Sequence, residues 1–270
     1  NVRKTDALIH IIRAFENDNV PHVDGNIDPI RDIETINLEL LLSDLGVIEN
    51  RINRIETGKK VTKENLAELE VLKKCREGLE NGVLLHNIDL SEDEKDLLKS
   101  FSFLSEQPII LVINLDENQF TTKDYPGKEE LTNYSKQFNI PLIELCIKSE
   151  LEISQLEPED RKLFMEDLGI IETGIDKLSR TTYDYLGLIS FLTAGEDEVK
   201  AWTIKRGTTA KKAAGKIHSD IEKGFIRAEV CKFEHLKELG SMQKVKEKGL
   251  LTLEGKDYIV QDGDIINFRF

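Results

Sequence analysis

At 270 residues, with 39% hydrophobic and 33% charged side chains, the chain is longer than one core usually holds, so two or three domains are expected. A formal net charge of −14 excludes an evenly basic nucleic-acid binder, and no apolar run approaches the ~20 residues that a membrane-spanning helix needs. The three cysteines, Cys75, Cys146 and Cys231, are far apart and form no Cys-x-x-Cys, which excludes a disulfide framework or a cysteine zinc site and points to a reducing, cytoplasmic setting.

The first residues, Asn1-Val-Arg-Lys-Thr-Asp, lack the profile of a signal peptide. Asp6–Phe15 reads as a buried strand, followed by a polar loop over Glu16–Asn26. Asp28-Pro29 opens a helix, with Asp as N-cap and Pro where a missing N–H costs nothing. Its apolar residues, from Ile30 to Ile55, recur at three- to five-residue steps to about Thr57, and Gly58-Lys-Lys breaks it. Thr62 caps a second helix whose Leu66, Leu69, Leu72, Cys75 and Leu79 share one stripe, so the two pair as an antiparallel hairpin. Ser91-Glu-Asp-Glu94 is a capping box that starts a return helix.

The sheet resumes at Pro108-Ile-Ile-Leu-Val-Ile-Asn-Leu-Asp-Glu-Asn118. A β-branched apolar run too short for a helix suits a parallel strand covered on both faces, and ligands of such sheets lie beyond the strands' carboxyl ends. Asn114 and Glu117 fall at that edge, although Asn and Glu also suit an ordinary strand-ending turn. Lys128–Phe138 reads as a helix and Pro141–Ile147 as the next strand, a β-α-β rhythm with a right-handed crossover. One helical stretch from Pro158 to Gly187 closes this part.

Beyond Gly187 short strands and frequent glycines take over: Leu188–Thr193, Ala201–Ile204, Phe225–Cys231, Asp257–Val260 and Ile265–Phe270, with helices near Thr209–Ile217 and Phe233–Leu239. That is a separate α+β domain. Residues 183–270 hold 15 Lys+Arg against 14 Asp+Glu, and residues 200–232 hold 9 against 3. Such a local excess can meet phosphates on an acidic protein, because carboxylates beyond a Debye length of ~8 Å are largely screened. A solvated face explains the same count.

A nucleotide hydrolase needs a phosphate cradle, and Gly-x-x-x-x-Gly-Lys-Ser/Thr is absent: Gly-Lys occurs at Gly58, Gly127, Gly215 and Gly255, never before Ser or Thr. Asp-x-x-Gly, at Asp124–Gly127 and Asp184–Gly187, follows no buried strand and reads as chance.

Seven segments nevertheless carry a family resemblance: Arg13-Ala-Phe-Glu-Asn-Asp-Asn19, His22-Val23, Asp28-Pro-Ile-Arg-Asp-Ile-Glu34, Asn114–Glu117, Phe191-Leu-Thr-Ala-Gly195, Val199-Lys-Ala-Trp-Thr-Ile204 and Ala214 through Val230. On these the chain resembles the YchF family, or Obg-like ATPases, over essentially its whole length. The resemblance implies an α/β fold: a partial P-loop G domain with a parallel sheet (1–41 and 104–182), interrupted by an antiparallel helical arm (42–103) and followed by an α+β TGS domain of β-grasp type (183–270). The family's phosphate loop and switch segments would precede Asn1, so a chain in this form is expected to be inactive alone.

The resemblance further implies ATP with Mg²⁺, no metal ligand within this chain, and association with the ribosome and its RNA. Asn114 and Glu117 would contact adenine, Leu115 would present backbone to it, and Phe15 would pack on its face. In the related GTPases the tetrapeptide is Asn-Lys-x-Asp, whose Asp takes two N–H bonds from guanine; Leu115 and the longer Glu117 lose that fit and point toward adenine. His22 would orient or activate the attacking water, since the family lacks the usual switch glutamine and an imidazole with ordinary pKa near ~6.5 is suited to the task. Ile147 stands where relatives have a small residue after Cys146. Lys205, Arg206, Lys211, Lys212, Lys216 and Arg227 are the candidates for RNA contact, while His218 and Asp220 read as turn and capping residues. The expected protein is a monomeric ribosome-associated ATPase; the alternative is a non-catalytic RNA- or ribosome-binding module built on the arm and the C-terminal domain.

Overall fold

The structure, a computed structural model, describes residues 2–23, 25–58, 61–195 and 198–270. Its contacts divide the chain into two compact units, Asn1–Leu178 and Ser179–Phe270.

In the first unit β1 (Leu8–Arg13), β2 (Ile109–Asn114) and β3 (Leu142–Leu145) form a parallel sheet in the order β1-β2-β3. The register sets Arg13 opposite Asn114 and Asn114 opposite Leu145. The central strand β2 is buried from Ile109 to Ile113, as its unbroken apolar run requires. β1 is not the buried strand expected: it lies at the sheet's edge, with Ile9 47% and Ile11 58% exposed. One face of the sheet, where Ile12 packs, is covered by α1 (Pro29–Glu56) and α5 (Lys128–Phe138). On the other face α6 (Ile147–Gln155) covers β2 and β3, and leaves Ile9 and Ile11 lining an apolar groove of about 520 Å³ with Leu151 and Ile175.

Helix α1 begins where local chemistry dictates. The Asp28 carboxylate accepts the Arg31 N–H at 3.1 Å, and Pro29 holds the first helical position. Lys59 and Lys60, the predicted break after Gly58, lie outside the described residues. α2 (Lys63–Glu80) starts in a capping box between Thr62 and Asn65 and turns back along α1. Leu41, Ile48, Ile52 and Ile55 pack with Leu69, Leu72, Cys75 and Leu79, and Arg51 forks both oxygens of Glu68 at 2.7 and 2.6 Å. Burial pushes the Cys75 thiol up to about 11, so it stays protonated. Ser91 and Glu94 form the predicted capping box of α3 (Glu92–Leu98).

A fully buried carboxylate fixes the middle of α1. Asp44 accepts the Ser105 N–H at 2.7 Å, the Ser105 hydroxyl at 2.8 Å and the Leu104 N–H at 3.1 Å. Arg3 adds an ion pair at 3.4 Å. Leu104 and Ser105 belong to the segment that leads into β2, so the helix and the central strand are tied at one point.

Two short helices of this unit were not foreseen: α4 (Glu117–Thr122), capped by Asp116, and α6. The single helical stretch expected from Pro158 to Gly187 is two helices, α7 (Pro158–Asp167) and α8 (Gly174–Tyr185). Gly169 separates them with φ 65°, a left-handed conformation that ends the first, and the Thr173 hydroxyl accepts the Asp176 N–H at 3.3 Å to start the second.

In the second unit β4 (Leu188–Ala194), β5 (Val199–Lys205), β6 (Arg227–Lys232), β7 (Thr252–Glu254) and β8 (Asp264–Arg269) form one sheet in the order β5-β4-β8-β6-β7. Only the β4–β8 pair is parallel. α9 (Ala210–Ile217) lays Ala210, Ala213 and Ala214 on Ile189, Phe191, Ala228 and Ile266, and α10 (Ser219–Lys223) follows it directly. α11 (Phe233–Leu239) and α12 (Met242–Glu247) enclose a smaller cluster around Cys231, Val245 and Ile265.

The expected strand Asp257–Val260 is a turn with one isolated bridge, Thr209 to Ile259. Its backbone is bent around buried Asp264, whose carboxylate accepts the Tyr258 hydroxyl and the Gln261 N–H, each at 2.8 Å, and pairs with Lys232 at 2.6 Å. β7 takes the place beside β6 instead. Among the described residues no helix is long and apolar enough to cross a membrane.

Candidate functional site

Parallel strands all end on one side, so the segments after β1, β2 and β3 meet there. The Asn114 carbonyl accepts the Ala14 N–H at 3.1 Å, and Leu115 donates its N–H to Leu145 at 2.8 Å. The Asn114 side-chain oxygen accepts the Ile147 N–H at 3.2 Å. Gln119 of α4 closes the set by donating to the Ala14 carbonyl at 2.8 Å. Phe15, Asn114, Leu115 and Glu117 are therefore brought to one edge, held by hydrogen bonds that cross all three strands.

Their surroundings differ in kind. Leu115 is buried, and its N–H is committed to Leu145, which leaves its carbonyl as the backbone group for a ligand. Phe15 is half-buried with the Arg13 guanidinium 5.1 Å from its ring centre. Glu117 opens α4 with its side chain 57% exposed, and its Oε1 lies 2.9 Å from the Lys148 ammonium. That hydrogen bond and the charge of Glu117 raise the Lys148 pKa above its ordinary value. The bulk of Ile147 leaves its backbone in place, because the Asn114 amide holds it.

His22 occupies a different pocket. The loop after β1 is strapped at one end by Arg13, which donates to the Phe15 carbonyl at 2.7 Å and the Val20 carbonyl at 2.5 Å. At the other end Arg31 bonds the side chain and carbonyl of Asn26, each at 2.8 Å. Between them His22 Nε2 stands 3.0 Å from Asp32 Oδ2, and Arg31 holds the other Asp32 oxygen at 3.1 Å. Arg13, Glu16, Asn17 and His22 line a polar cavity of about 340 Å³. An imidazole gripped by a carboxylate is oriented for proton or water chemistry. Sequence reasoning missed Asp32 and Lys148 as partners, although Asp32 lies inside the marked segment Asp28–Glu34 and Lys148 directly follows Ile147.

The basic candidates do not form one patch. Lys211, Lys212 and Lys216 are exposed on α9, opposite the alanines that pack on the sheet. Gly215 faces α10 instead, where an added Cβ would run into the Glu222 side chain. Lys205 donates to the Leu186 carbonyl at 3.1 Å, and Arg206 pairs with Asp184 at 3.3 Å. Arg227 alternates with buried Ala228 along β6, so it projects from the face opposite α9. His218 caps α10, its Nδ1 accepting the Asp220 N–H at 3.2 Å, the structural role expected for that pair.

Among the described residues no group of three His, Cys, Asp or Glu side chains could hold a metal ion.

Over its full length the chain is 44% identical to the Ribosome-binding ATPase YchF of Bacillus subtilis (strain 168), covering 74% of that protein. It is 42% identical to the protein of the same name from Escherichia coli O157:H7, with the same coverage of both chains. A solved structure described as that of the Schizosaccharomyces pombe YchF GTPase matches with a TM-score of 0.83 and 28% identity, over 99% of this chain and 73% of that one. Residues 188–270 match the family model YchF-GTPase_C, described as a protein of unknown function (DUF933). With relatives this similar along its entire length, the chain belongs to the YchF family.

Proposed function

We propose that this chain works in a ribosome-associated nucleotide hydrolase of the translation-factor GTPase class, cytoplasmic and selective for ATP over GTP. The observation that carries the reading is the edge formed by Phe15, Asn114, Leu115 and Glu117 at the carboxyl ends of a parallel sheet. That is where such sheets take ligands. Relatives named as ribosome-binding ATPases support the activity and the partner, and another relative is named a GTPase, so base preference is the part to measure.

The ring of adenine would rest on Phe15, with Asn114 and Glu117 at its edge and the Leu115 carbonyl as a backbone acceptor. His22, oriented by Asp32, would position the water that attacks the terminal phosphate, the step for which a positioned imidazole is suited. Mg²⁺ and the phosphates would be held by residues outside these 270, which contain no Gly-x-x-x-x-Gly-Lys-Ser/Thr. These residues by themselves would then turn over no ATP. Residues 1–41 and 104–182 are assigned to the G domain, 42–103 to the arm and 183–270 to a TGS domain, with Lys211, Lys212 and Lys216 of α9 as its contact with ribosomal RNA.

Steady-state hydrolysis by the full-length protein tests the base preference. kcat/KM for ATP should exceed that for GTP by about tenfold or more, the worth of one charge-assisted hydrogen bond. Equal values would overturn it. Ribosome association without turnover of either nucleotide would favour the binding-module alternative, in which the arm and the second unit do the work.

A further inference from the structure

We propose that Lys148 is a specificity-determining residue of the base site: with Glu117 it presents one donor and one acceptor to adenine, and it denies guanine the bare carboxylate that guanine needs. The inference rests on the adenine reading proposed above.

Lys148 stands in the first turn of α6, next to Ile147, whose N–H is fixed by the Asn114 side chain. Its stem therefore starts from an anchored point beside the base edge. The ammonium lies 2.9 Å from Glu117 Oε1, in a pair with side chains 70% and 57% exposed. Exposed pairs contribute little to stability, so the arrangement is not explained by folding. It lies where a base would approach, and both partners remain open to one.

The chemistry of the two purines decides which base fits. Guanine offers two adjacent donors, N1–H and the 2-amino group, to a carboxylate that accepts with both oxygens. Here Oε1 already accepts from an ammonium, so a guanine donor there would have to share that oxygen with Lys148, and Oε2 is the uncontested acceptor. Adenine offers one donor, the 6-amino group, beside one acceptor, N1. Glu117 Oε2 can take the amino hydrogen while a second N–H of Lys148 reaches N1, since an ammonium carries three donors. The longer Glu117 side chain then serves to reach its partner lysine as well as to spoil the fit to guanine.

The test is equilibrium binding of ATP, GTP and 1-deaza-ATP, in which N1 is replaced by C–H, to full-length wild-type protein and Lys148→Met. Wild type should bind 1-deaza-ATP about tenfold more weakly than ATP, the loss of one charge-assisted hydrogen bond. Lys148→Met should bind ATP about tenfold more weakly, treat ATP and 1-deaza-ATP alike, and bind GTP more tightly than wild type does. If wild type prefers ATP to GTP but Lys148→Met keeps both that ratio and the sensitivity to N1, the role of Lys148 is overturned and the adenine reading stands. If wild type binds ATP and GTP equally, the adenine reading fails and the role of Lys148 fails with it. Thermal unfolding of Lys148→Met should match wild type, because the side chain is mostly exposed.

Discussion

In the first unit polar groups converge at the carboxyl ends of three parallel strands, whereas in the second the basic residues are dispersed over a helix face, a strand end and the opposite side of a mixed sheet. The difference follows from strand direction. Parallel strands bring successive loops to one edge, and Asn114, Glu117 and Lys148 stand together there, where the proposed site would discriminate single ring atoms. A mostly antiparallel sheet sends its loops to both ends, and the charges it carries can only add. Substitutions in the first unit should therefore change which ligand is bound, and substitutions in the second should change how strongly a polyanion is held.

The largest effects separate the two units as folding bodies. Among the described residues each contains one fully buried aspartate that accepts backbone N–H and hydroxyl donors and pairs with a cation, Asp44 in the first and Asp264 in the second. Replacing either by Ala orphans those donors and should cost about 3 kcal/mol in its own unit. The readouts are separate as well: Trp202, the sole tryptophan, reports on the second unit, while far-UV circular dichroism is dominated by the helices of the first. Asp44→Ala should move the dichroism transition and leave the fluorescence transition in place, and Asp264→Ala should do the reverse. Coincident shifts in both signals would show that the units unfold as one.

A smaller effect concerns the additive charge. Replacing Lys211 and Lys212 together by Gln should lower the slope of log affinity for RNA against log salt by about 1.5, from two lost phosphate contacts at ~0.7–0.9 each. ATP affinity should not change. Loss of ATP affinity, or an unchanged salt slope, would break the division of labour between the units.

The smallest effect is a pH dependence confined to the first unit. His10 on β1 is half-buried, and its Nδ1 is buried without a hydrogen-bond partner among the described residues. Burial lowers its pKa from the ordinary 6.5, against the opposing pull of Asp32. The unfolded chain then binds the proton more readily than the folded one. Stability is full above about 6.5 and falls as pH drops through the lowered folded value. His10→Gln should flatten the dichroism-monitored stability between pH 7.5 and 5.5, about one unit to each side of the ordinary histidine value. The tryptophan transition should keep its pH profile.

What could be read from the sequence was whatever local chemistry decides. Asp28-Pro29, Thr62 and Ser91 start helices because their side chains satisfy N–H groups two or three residues away, and Ile109–Ile113 is a central strand because nothing polar interrupts it. Gly169, which divides the stretch after Pro158, is a helix-ending residue of the same local kind. The exposure of Ile9 and Ile11 was not legible, because position within a sheet is a property of the assembled strands. Nor was the turn at Asp257–Val260, which is shaped by a carboxylate at Asp264. At the site Asn114 and Glu117 pointed to one edge, and Phe15 joined them through the family resemblance, but the partners were not legible: Lys148 is 31 residues from Glu117, and the Asn114 side-chain oxygen accepts the Ile147 N–H.

Helix α1 carries a consequence of its own. At 1.5 Å per residue its 28 residues make a rod about 42 Å long, with Asp32 in its first turn against His22 and its far end at the tip of the arm. A rigid lever multiplies angle into distance, so a tilt of about 5° at the root would carry the tip through roughly 4 Å.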